Sequence, residues 1–141
     1  MGLLKNLLSG EDHPALPEDS YAVERIRSVM PGLRQLVSET NDRFEVVPAA
    51  ESAYVFIGKP PKKFGMAWIT GDKVANLGEL AREKNYSPIT LEKIEDELSA
   101  AYKRSDSDQR YVFSVDGQDV VVTPSQNLEN EVDHIIQALL K

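Results

Sequence analysis

This chain of 141 residues contains no cysteine. Disulfides, thiolate metal sites and cysteine nucleophiles are therefore excluded, and the absence suits a reducing, cytoplasmic setting. Histidine is nearly as scarce. His13 falls in an acidic stretch and His134 points away from the apolar stripe of a C-terminal helical segment, so both read as solvated residues rather than metal ligands or acid–base groups. No apolar run approaches the roughly 18–20 residues of a membrane span. The start lacks the long apolar core and small-residue cleavage site of a signal peptide. Gly-x-Ser-x-Gly elbows, Walker loops and dinucleotide glycine fingerprints are missing as well. Asp106-Ser107-Asp108-Gln109-Arg110 begins like a calcium loop, but Arg110 replaces the third acidic ligand and the required glycine is absent. The reading is no enzyme, no metal and no cofactor.

Positive charge is also in short supply. Sixteen Lys and Arg face 23 Asp and Glu, a net charge of −7. That balance argues against nucleic acid or an anionic membrane surface as the main partner. The exception is local. Residues 43–73 hold five basic and three acidic side chains, a balance of +2, against −3 before them and −6 after.

That basic region coincides with the most informative stretch. Ala53–Ile57 and Phe64–Ile69 are short runs of aromatic and β-branched residues, joined by Gly58-Lys59-Pro60-Pro61-Lys62-Lys63. Such runs bounded by turn formers predict a hairpin. Period-2 alternation sorts Phe64, Met66 and Trp68 onto one face, and the expectation is that Tyr54 and Phe56 share the other with Gly65 and Ala67. Neither face is polar, so the hairpin is either central in a covered sheet or presents one face to a partner. The bulkier face is assigned to the core. The flatter one gives the candidate binding residues Tyr54, Phe56 and Ala67, with Lys59, Lys62 and Lys63 at the tip to steer an acidic partner. The plainer alternative is that these lysines keep a loop soluble.

Elsewhere the pattern is that of a small domain. Leu3, Leu4, Leu7 and Leu8 line one helical face of a short N-terminal segment, followed by an acidic linker to Asp19; residues 20–141 form the single domain. A helix capped by Asp19 or Ser20 carries Val23, Ile26, Val29, Leu33, Leu36 and Val37, and Pro31-Gly32 predicts a kink or two short helices. Phe44–Val47 is a first strand. Val74, Leu77, Leu80 and Ala81 mark a short helix, and a longer one follows with Thr90 as its N-cap. Asp116-Gly117 sits between two apolar runs, the strongest short hairpin signal in the chain. Leu128, Val132, Ile135, Ile136 and Leu139 make the final helical stripe.

The inferred order is helix, three strands, one or two helices, two strands, helix. This is an α+β domain with a mostly antiparallel sheet of about five strands and helices on one face or end. In that order, in size and in acidity the chain resembles the dimeric specificity chaperones of type III secretion and their relatives. Residues 74–104 hold two helices where that family has one, and the N-terminal leucine segment is extra. The resemblance implies a non-enzymatic homodimer that holds another polypeptide on an apolar surface. The expected function is therefore a non-catalytic protein-binding module, chaperone- or adaptor-like, whose partner is another protein or a second copy of itself. The alternative is a regulatory or sensory domain with a small ligand between sheet and helices.

Overall fold

A computed structural model of the chain describes residues 13–141. The expected leucine-rich helix at residues 1–9 lies outside the described residues. Ser20 caps the first helix, α1 (Tyr21–Ser28), its side chain accepting from the Ala22 N–H. Pro31 cannot donate into a continuing ladder, and the pattern breaks at Val29 into a second helix, α2 (Met30–Glu39), with the proline in its first turn. Strands β1 (Phe44–Pro48), β2 (Ala53–Lys59), β3 (Lys63–Thr70) and β4 (Lys73–Asn76) follow. Helices α3 (Leu77–Glu83) and α4 (Pro88–Arg104), strands β5 (Tyr111–Val115) and β6 (Gln118–Val122), and helix α5 (Gln126–Leu140) complete the chain.

The fold is α+β, and among the described residues the sheet has six strands where the sequence suggests about five. The extra strand is β4. Val74 belongs to it and not to the following helix, because the Gly71-Asp72 turn sends the chain back along β3 with Thr70 opposite Lys73. Asn76 then caps α3 by accepting from the Glu79 N–H. Ser87, not Thr90, caps α4, with Pro88 in its first turn where a missing N–H costs nothing. Asp116 and Gly117 both have positive φ, as a two-residue hairpin turn of that composition requires.

The strand order is β4-β3-β2-β1-β6-β5. All neighbours are antiparallel except β1 and β6, where Glu45 lies opposite Val121. Residues 14–16 add to the outer side of β5, with Leu16 N–H donating to Val112 O and Val112 N–H to Pro14 O. Leu16 is buried in the core, so the folded unit includes part of the stretch read as a linker.

Helices cover both faces of the sheet, not one. Ile26 of α1, Leu33 of α2 and Val29 between them pack on Val46, Val55, Ala67, Ile69 and Val122. Leu98, Leu128, Val132 and Ile136 pack on Val47, Tyr54, Phe56, Met66 and Trp68. The two-sided apolar character of the central strands is thereby accounted for: each face has its own helical layer. Among the described residues, no helix is long and apolar enough to cross a membrane.

Candidate functional site

The site begins with the register of the β2–β3 hairpin. Lys59 pairs with Lys63, leaving Pro60, Pro61 and Lys62 as a three-residue connection. A connection with an odd number of residues pairs even positions with even and odd with odd. Tyr54 therefore lies opposite Trp68 and Phe56 opposite Met66, so the five large side chains share one face, with Phe64 opposite Gly58. The expectation that Tyr54 and Phe56 lie beside Gly65 and Ala67 is corrected by this parity.

The candidate binding residues divide accordingly. Tyr54 is 2 % exposed, and Phe56 and Ala67 are fully buried. Phe56 meets Tyr102 and Phe64 edge-on, with ring centroids 5.1 and 5.4 Å away. The Tyr54 hydroxyl donates to Asp133 on α5, and burial, then that carboxylate, push its pKa upward. These three residues hold the core together and offer no open binding face. Lys59, Lys62 and Lys63 are exposed at the hairpin tip, as expected.

What lies beside the lysines was not foreseen. Ile57, Lys59, Lys63 and Gly65 alternate onto the α1–α2 face, at the end of the sheet. An open cleft of about 400 Å³ forms there, with Arg43 and Asp42 on its β1 side. Ile57 is half-buried against the core and Gly65 is exposed. Gly58, at φ 115°, makes the tip possible: a Cβ there would stand 2.9 Å from the Lys63 carbonyl oxygen. Among the described residues neither Lys59 nor Lys63 forms an ion pair. Two like charges directly opposite on one face repel each other, and an anion between them would relieve that repulsion.

Arg43 joins this cleft to a buried polar network. Its Nη2 donates to Glu45 Oε1 at 2.7 Å, and Glu45 is fully buried at mid-sheet. Tyr102 and Thr123 hydroxyls donate to the same carboxylate at 2.7 Å each, and Arg110 Nε at 3.1 Å. Burial by itself raises the Glu45 pKa. Arg43, the two hydroxyls and Arg110 more than offset it and hold the carboxyl below its ordinary value. The Tyr102 pKa is raised, first by burial and then by the Glu45 charge. Arg110 also donates to the carbonyls of Ser105 and Asp108, at 2.5 and 3.1 Å. The guanidinium thus fills the loop whose sequence begins like a calcium site, and satisfies its carbonyls from within.

A second groove, about 540 Å³, runs between α4 and α5. Arg104 and Glu131 bridge it at 2.6 Å, and Glu97 on its rim is a further acid with no ion pair among the described residues. Of the two, the lysine cleft has the unmatched positive charge. Sequence reasoning found Lys59 and Lys63 and put Gly65 on the flatter face offered to a partner, but missed Ile57, which has no local signal that sets it apart from the other apolar strand residues. Comparison of the chain with protein-family models, with curated proteins and with solved structures finds no match.

Proposed function

We propose that the chain is a non-catalytic protein-binding module, adaptor- or chaperone-like, that takes an acidic segment of another protein at the β2–β3 tip. The carrying observation is the Lys59–Lys63 pair: two exposed cations directly opposite each other, beside an apolar floor at Ile57, on an otherwise acidic chain. A carboxylate-bearing segment would neutralise the pair and cover the floor, and the negative field of the rest of the surface would turn away segments that do not match the cleft. The lack of cysteine suits action in the cytoplasm.

A randomised dodecapeptide library displayed on phage tests this reading. Selection on the native protein should enrich acidic sequences, and selection on the Lys59→Glu/Lys63→Glu double variant should not. Both side chains are exposed, so the variant should keep its fold by circular dichroism. Enrichment without acidic bias, or equal enrichment on the two proteins, refutes the lysine cleft as the site.

A further inference from the structure

The outer edge of β3 is only half occupied. Strand β4 pairs with Ala67–Thr70 and then leaves as α3, and among the described residues no strand lies beyond Lys63–Met66. Helix α3 packs against β3 directly after β4, and the lysine cleft opens on one face of the half-edge that no strand pairs. On the opposite face a second cleft of about 310 Å³ opens between the tip and α4, lined by Pro61, Lys62, Glu95, Asp96 and Ser99. Lys63 and Phe64 border both clefts. An edge strand with a recess on each face has the geometry that an added strand uses: its main chain pairs with the edge, and its alternate side chains enter the two recesses.

Gly65 supplies an independent observation. Glycine weakens a strand interior and is kept where a turn, a packed neighbour or an approaching group demands it. Gly65 is in a strand without positive φ. A Cβ placed there would meet nothing nearer than Ile57, at 3.9 Å. Gly32 is the contrast, since its Cβ would stand 2.3 Å from Ile69 Cγ2. Nothing within the described chain requires glycine at position 65, and its missing side chain leaves bare backbone beside Ile57 on the free edge.

We infer that the acidic segment binds as an added β-strand along Lys63–Met66, laying an apolar side chain over Gly65 against Ile57 and its neighbouring carboxylates on Lys59 and Lys63. This rests on the reading that the cleft takes an acidic segment. The mode sets the partner's pattern. Carboxylate and apolar residues fall at alternate positions on the cleft side. The intervening residues face Lys62 and Glu95, a mixed surface that suits uncharged polar side chains. Charge complementarity selects an acidic partner segment over a second copy, whose own β3 would bring Lys63 to the same edge.

The probe is the most enriched acidic peptide from the library, synthesised with its backbone N-methylated at either the odd or the even positions. Alternate amides of an added strand point at the edge. One methylated set should therefore lose about tenfold or more in affinity, the scale of one or two backbone hydrogen bonds, and the other should bind normally. Gly65→Val should keep or raise the thermal midpoint and weaken the unmodified peptide by a similar factor. Hydrogen exchange at Phe64 or Met66 should slow on binding. If both methylated sets bind as tightly as the parent, or Gly65→Val does, the added-strand mode is overturned while the lysine cleft stands. If selection yields no acidic peptide, the cleft reading falls and this inference falls with it.

Discussion

Glu45 brings a carboxylate to the middle of the sheet, where it is the one fully buried acid among the described residues. Its folded pKa lies below the ordinary 4.5. The ionised form therefore contributes stability at pH values above 4.5, and that contribution is lost as pH falls from there through the lowered folded value. Glu45→Gln removes this titration, so its denaturation midpoint should fall less steeply with acid than that of the native protein. An unchanged acid slope would place the sensitivity on other groups. Arg110→Met leaves the carboxylate short of a buried cation and frees the carbonyls of Ser105 and Asp108; the expected cost is about 3–5 kcal/mol, read by urea denaturation at pH 7. In the sequence Glu45 is a lone acid within the first strand, Phe44–Val47. Its burial follows from the placement of β6 on one side of β1 and Tyr102 above it, and neither is a local property.

At the scale of elements, α2 approaches the β3–β4 end of the sheet closely at Gly32. Gly32 permits this, since a Cβ there would also come within 3.3 Å of the Gly71 carbonyl oxygen and of Val74 Cγ2. Gly32→Val should force the helix away from the β3–β4 turn and cost about 1–3 kcal/mol, the usual penalty for overpacking. A denaturation midpoint equal to that of the native protein would show that α2 shifts freely at that end. The Pro31-Gly32 break was legible in the sequence because proline acts through its own missing donor. The role of the glycine was not, because the close approach depends on Ile69, far along the chain. Strand β4 was hidden for a related reason: Val74 and Leu77 fit a helical period, and only pairing with β3 splits them between two elements.

For the whole molecule, the consequence is that the central strands are enclosed on both faces. Phe56→Glu and Tyr54→Glu should each unfold the chain, because an unpaired buried carboxylate costs several kcal/mol against a total stability of about 5–15 kcal/mol. Circular dichroism checks this, and a folded Phe56→Glu variant would mean that the α4–α5 layer can open. Lys59→Glu and Lys63→Glu, at the exposed tip, should leave the midpoint nearly unchanged and act on binding.

The sequence by itself determined the element types over most of the chain, because period, caps and turn residues act within a few positions. The Asp116-Gly117 hairpin, the α1–α2 break, the C-terminal stripe and the α+β class were all readable on that basis. Tertiary structure alone decided which faces meet. The parity of the Pro60–Lys62 connection put Tyr54 and Phe56 with Trp68, and the separation of the described helices into two layers buried both sides of the hairpin. The cleft depends on the same long-range facts: it exists where the sheet outruns the helices, and its residues come from separate strands that only pairing brings together.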